Sequence, residues 1–287
     1  MLAVCVLQLA VSPVGLLRAR LPGMSDALWL CMMAVLSSTT VFGGALVGRR
    51  LFKGAETHDF KKETQSRASL LDDCLLVIAG AALCMAGNIV TPIVERAAGR
   101  AGIEFRGGPE QTAPQSLPGL LLTLLAVGVL PAVTEELLLR GVLLPPLRRF
   151  GDGFAAACTA ALFALLHQNM EQAPMAFVSG LALGWVYLRG GKLALPVLVH
   201  LWNNAASVLL MLLPGRAANV YALGLGLAGA VCLIILFLRR SKDNKGIVCG
   251  LSPGKRAVNF FFGSAAMAPA LGYFAAMIAL NTKISGG

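Results

Sequence analysis

Residues 125–147 read LAVGVLPAVTEELLLRGVLLPPL: two adjacent glutamates, Glu135 and Glu136, stand in the middle of an apolar run, and Arg140 follows Glu136 by four positions. Ionised side chains in such a run are costly if they face lipid or a dry interior. The surrounding chain shows which solvent they meet. It has 287 residues, of which 57% are apolar and 13% charged, with a mean hydropathy of +0.75. An ordinary soluble domain carries about 25% charged residues. The deficit runs along the whole length, which predicts an all-α, polytopic transmembrane helix bundle.

A membrane span needs about 20 apolar residues, within a range of about 17–25. Candidate segments are 2–17, 27–48, 70–94, 117–144, 153–170, 174–189, 192–213, 218–238 and 257–281, giving about eight or nine membrane helices once short, re-entrant pieces are allowed for. The N-terminal MLAVCVLQLAVSPVGLLRAR has its arginines after the apolar stretch, the reverse of a cleaved signal, and reads as a first spanning segment interrupted by Pro13. No soluble module stands out, so residues 1–287 read as a single integral membrane domain with its informative core at 117–213.

The net charge of +10 does not require nucleic acid, because Lys and Arg collect in cytoplasmic loops. If all nine segments cross, the loops at 49–67 and 239–256, with Arg148, Arg149, Arg189 and Lys192, fall on one side. That side holds sixteen basic residues against seven on the other. The asymmetry predicts both the N-terminus and these loops inside, the C-terminus outside, and the 95–116 loop external. The seven cysteines form no C-x-x-C pair and mostly lie in apolar runs, as small core residues do.

Three further patterns have structural readings. Ala176, Gly180 and Gly184 repeat every four residues and predict a ridge of close helix contact. Gly224, Gly226 and Gly229 predict the same in the eighth segment. SLLDD at residues 69–73 predicts a capping box that opens the third segment, which is a simpler role for Asp72 and Asp73 than chemistry.

Polar side chains recur deep in the apolar segments at three places: Glu135, Glu136 and Arg140; Phe163 and His167 in FALLHQN; His200 and Asn204 in HLWNN. Glu136 and Arg140 lie on one helix face in the favoured order for an ion pair. Glu135 sits about 100° further round and has no basic residue at that spacing. Arg140 is therefore expected to neutralise and orient Glu136. Glu135 is left to face the bundle, where desolvation favours taking up a proton and suits it to general-base work. Phe163 and His167 share a face, so the ring can wall the imidazole. His200 and Asn204 share another and can present two donors to one point.

Counted from the cytoplasmic boundaries at about 1.5 Å per residue, with a helix break at Pro145–Pro146, Glu135, His167 and His200 can share one layer. Each has a plainer reading alone: a packed core histidine, a helix clamp, an amide bridge. Together, inside lipid, they mark a functional site. Pattern alone leaves a proton-coupled transporter, a partner-binding membrane protein and a hydrolase open.

The three motifs resemble the E-E-x-x-x-R, F-x-x-x-H and H-x-x-x-N motifs of the CPBP family, the CAAX prenyl endopeptidases and bacteriocin-processing (Abi) proteins, which include lysostaphin-resistance-type bacterial proteins. Their order matches across residues 117–213. The resemblance implies an integral, multi-pass endopeptidase, here of a bacterial cell membrane, acting on a membrane-associated protein or peptide. It also implies roles: Glu135 activates water, aided by His167, while His200 and Asn204 form the oxyanion hole, with Glu136, Arg140 and Phe163 in support. It implies no cofactor. The residue types leave one alternative, a zinc site on Glu135, His167 and His200. H-E-x-x-H is absent, as are the rhomboid G-x-S-G and the paired aspartate motifs of presenilin-type proteases. Beyond substrate and bilayer, no partner is implied.

Overall fold

The computed structural model describes residues 23–51, 69–105, 113–240 and 282–284, with two isolated positions, 272 and 276. The predicted segments 2–17 and 257–281 lie outside these residues, as do most of the basic loops at 49–67 and 239–256. Seven helical stretches fill the described chain: α1 (Asp26–Leu51), α2 (Leu70–Arg100), α3 (Leu117–Phe150), α4 (Asp152–Leu166), α5 (Ala173–Gly190), α6 (Ala194–Leu210) and α7 (Gly215–Arg240). By length and composition, α1, α2, α3 and α7 are able to cross a membrane, while α4 and α6 are shorter apolar helices. Apolar side chains on the outer face of α7, among them Val220, Leu227, Val231 and Leu238, are exposed. The bundle thus presents hydrocarbon outward, as a protein dissolved in lipid does.

Local chemistry sets the helix boundaries. Ser69 caps α2 as expected, its hydroxyl accepting from the Asp72 amide, but the Asp72 carboxylate accepts from that hydroxyl in place of the backbone N–H that a capping box uses. Ser116 caps α3 in the same way through the Gly119 amide. The turn from α5 to α6 needs a left-handed residue, and Gly191 supplies it at φ 66°.

α3 is one helical path with two widened turns. Residues 124–129 and 139–143 are π-helical, on either side of the α-helical 130–138 that carries both glutamates. Each widened turn ends two residues before a proline, Pro131 in one case and Pro145 in the other. A proline ring crowds the carbonyl four residues back and offers no N–H to it. The π turn lets the helix continue past that carbonyl. The expected break at Pro145–Pro146 is therefore absent, and helical structure continues to Phe150.

α2 packs on α5 and α7, α4 packs on α5, and α1 packs on α3. The small-residue ridge of α5 meets α4: a Cβ on Gly180 would stand 2.8 Å from Ala160 Cα, and one on Gly184 would stand 3.4 Å from Ala156 Cβ. On α7 the glycines divide. Gly229 lies against Ala82 of α2, whereas Gly224 and Gly226 have nothing within 4 Å and so serve no contact among the described residues.

Ion pairs gather at one end of the bundle. Lys192, before α6, pairs with Asp73 at the start of α2, and Arg239, near the end of α7, lies 3.4 Å from Asp72. The first turn of α2, the α5–α6 turn and the end of α7 thus share a side, as the charge distribution predicts. A short antiparallel ribbon not expected from the sequence, β1 (Ile103–Phe105) with β2 (Thr282–Ile284), joins the 95–116 loop to the C-terminal region. This puts those two stretches together as well.

Candidate active site

The site is built where α3, α4, α5 and α6 meet. Glu136 is fully buried on α3, and its Oε1 accepts two bonds: one from Arg140 Nη1 at 2.8 Å, one turn along, and one from His200 Nδ1 of α6 at 3.0 Å. Arg140, also fully buried, donates through Nη2 to the Gly180 carbonyl of α5 at 2.7 Å. Glu136 and Arg140 therefore tie three helices through three hydrogen bonds. Gly180 thus serves twice, packing α5 on α4 and offering its carbonyl to Arg140 of α3. Glu136 Oε2 and Arg140 Nε find no partner among the described residues.

Glu135, next in sequence, points differently. Its side chain is 20% exposed, and its Oε2 lies 4.0 Å from His200 Nε2. His200 thus stands between the two carboxylates, with Nδ1 on Glu136 and Nε2 toward Glu135. The sequence offered no partner for His200; the structure supplies it from a helix 64 positions earlier in the chain.

His167 ends α4. Its Nδ1 is 2.9 Å from the Phe163 carbonyl, which can only accept, so Nδ1 carries the proton there and Nε2 of the neutral ring is left with its lone pair. The 15 residues of α4 climb about 22 Å at the α-helical rise. The chain then reverses through Gln168, at φ 57° the sole non-glycine residue with positive φ among the described residues. Asn169 supplies two bonds that this reversal needs, donating to the His167 carbonyl and accepting from the Gln172 amide. Polar side chains in the reversal thus stand in for missing backbone partners.

Phe163 links the histidines. Its ring meets His167 edge-on at 5.0 Å between centroids and His200 edge-on at 5.4 Å, and the Arg140 guanidinium lies 5.3 Å from its centroid. The sequence anticipated the first of these contacts only.

Asn204 lies one turn beyond His200. Its Nδ2 donates to the Val127 carbonyl of α3 at 2.8 Å, and its Oδ1 is 3.4 Å from Asn203 Nδ2. Because a carbonyl only accepts, the amide is oriented with nitrogen toward α3. The pairings Asn204–Val127 and His200–Glu135 run in opposite directions along the chain, so α6 crosses α3 antiparallel.

Glu135, His167 and His200 were the alternative metal donors. Glu135 Oε2 and His200 Nε2 stand 4.0 Å apart, and among the described residues no three His, Cys, Asp or Glu side chains are grouped for a metal ion.

This geometry coincides with a family match. Residues 117–206 match the family described as type II CAAX prenyl endopeptidase Rce1-like. The match supports the resemblance to the CPBP family over that segment. All seven candidate site residues fall inside it, and the family is one of CAAX-type proteases. The chain also resembles an Escherichia coli protein described as an uncharacterized 24.3 kDa protein, with 35% identity over 95 residues, 31% of this chain. That stretch covers 44% of the relative, so the chain spans under half the length of the curated protein it matches. No solved structure matches the chain.

Proposed function

We propose that the protein is an intramembrane endopeptidase of a bacterial cell membrane, a single multi-pass domain, hydrolysing a peptide bond of a membrane-associated protein or peptide. The observation that carries this reading is the position of His200 between a fully buried, arginine-paired Glu136 and a partly exposed Glu135. Glu136 is committed to two donors and is not available to substrate. Glu135 is not so committed, and it is the carboxylate with access to an incoming water.

In this mechanism Glu135 takes a proton from water as the oxygen attacks the scissile carbonyl carbon. His167, with Nδ1 held by the Phe163 carbonyl, presents Nε2 as a second proton acceptor beside it. The carbonyl π bond breaks toward oxygen, and the oxyanion meets donors. His200, anchored at Nδ1 by Glu136, turns Nε2 toward the oxyanion, and Asn204 offers its second amide N–H. Collapse breaks the C–N bond, and the proton taken from water passes to the leaving amine. No metal enters this scheme. Arg140 and Phe163 act through the groups they hold.

The test is cleavage of a peptide library by the purified protein in liposomes with no ion gradient. Cleavage that disappears in Glu135→Gln supports the proposal. Gradient-driven uptake that needs the same residues, without cleavage of any peptide, would favour a transporter and sink it.

A further inference from the structure

α3 meets Asn204 at a backbone oxygen whose ordinary i+4 donor is missing. In an α-helix the Val127 carbonyl accepts from the amide of residue 131. Residue 131 is proline and has no N–H to give, and its ring pushes against that same carbonyl. The helix widens into a π turn over residues 124–129 immediately before it. At that point Asn204 Nδ2 arrives from α6 and bonds the Val127 oxygen at 2.8 Å.

We propose that Pro131 is a positioning residue: bringing no N–H of its own to the Val127 carbonyl, it leaves that oxygen to pin the Asn204 amide. The consequence follows from the chemistry of a carboxamide. The group is planar, and its two N–H bonds diverge by about 120°. Fixing one N–H on Val127, with Oδ1 facing Asn203, fixes the plane and hence the direction of the other N–H. Asn204 sits one turn from His200 on the same face of α6, and Pro131 sits one turn before Glu135 on α3. A single hydrogen bond therefore sets the amide and also sets the register between the helix bearing the base and the helix bearing the donors. The alternative, that Pro131 only shapes the helix and Asn204 only bridges, assigns no link between the two residues in catalysis.

The inference rests on the peptidase reading for its catalytic half, so its test has two readouts. Pro131→Ala restores an N–H that can reclaim Val127; Pro131→Leu is the second variant if alanine folds poorly. Each is combined with Asn204→Ala in a double-mutant cycle. In thermal unfolding, which needs no activity, Asn204→Ala should lower Tm clearly when Pro131 is intact and much less in the Pro131→Ala or Pro131→Leu background. In peptide cleavage, Asn204→Ala should lower kcat by about 10²–10³ with little change in KM, the usual cost of one oxyanion donor. Pro131→Ala should lower kcat by at least about tenfold, again sparing KM, and the double variant should be no slower than Asn204→Ala alone. Additive losses in Tm overturn the hydrogen-bond link, whether or not the protein proves to be a peptidase. Coupled Tm values with kcat unchanged in Pro131→Ala overturn the positioning role. A wild-type protein that cleaves nothing overturns the peptidase reading and the positioning role with it, while the unfolding cycle still decides the Pro131–Asn204 link.

Discussion

Truncating Glu136 should be far more damaging to the fold than altering Glu135, although the two are neighbours. Glu136→Ala removes one oxygen that accepts from both Arg140 at 2.8 Å and His200 at 3.0 Å. Arg140 is 0% exposed, and its remaining bond is to the neutral Gly180 carbonyl. Removing one member of such a buried pair leaves an uncompensated charge and costs about 3–5 kcal/mol. Glu135→Gln changes a side chain that is 20% exposed and approaches His200 only to 4.0 Å. A substitution that strips no buried partner of its bond costs about 1 kcal/mol. At about 2–4 °C per kcal/mol, Glu136→Ala should lower Tm by on the order of 10 °C, and Glu135→Gln by about 3 °C. Thermal unfolding of the purified protein in one detergent measures both. Paired with the liposome assay, the pattern expected is an inactive but stable Glu135→Gln and an inactive, unstable Glu136→Ala. Equal Tm values for the two variants would refute the division into a structural and a chemical glutamate.

Two other outcomes follow from the same geometry. Strong chelators should leave peptide cleavage intact, and elemental analysis should find no stoichiometric zinc; activity lost on chelation and regained with zinc would reassign Glu135, His167 and His200 as ligands. Gly180→Ala, whose Cβ would stand 2.8 Å from Ala160 Cα, should cost about 1–3 kcal/mol and reduce activity by displacing the carbonyl that holds Arg140, whereas Gly224→Ala, with nothing within 4 Å, should leave Tm unchanged.

What the sequence made legible was whatever depends on spacing within one helix. Glu136 and Arg140 at i, i+4, the Ser69 cap, the Gly180 ridge and the Phe163–His167 contact all follow from a 3.6-residue period and are found as expected. The partners that cross between helices were not legible, because periodicity says which face a residue occupies and nothing about what meets that face. The bond from His200 to Glu136 is the clearest case. The glycines of α7 show the same limit from the other side: three similar residues, of which only Gly229 has a helix against it among the described residues. The widened turns of α3 fall between these cases. Their cause is local, since each precedes a proline by two residues, yet reading them from sequence means treating Pro131 and Pro145 as residues that free a carbonyl within a continuing helix. Seen that way, the proline in LPAVTEE does more than bend a span. It opens the Val127 oxygen two turns before Glu135, and the helix that answers it with Asn204 also carries His200 to the carboxylates. The charges that are costly in lipid are thereby held by neighbouring helices, and Glu135 is the carboxylate left uncommitted for the chemistry proposed above.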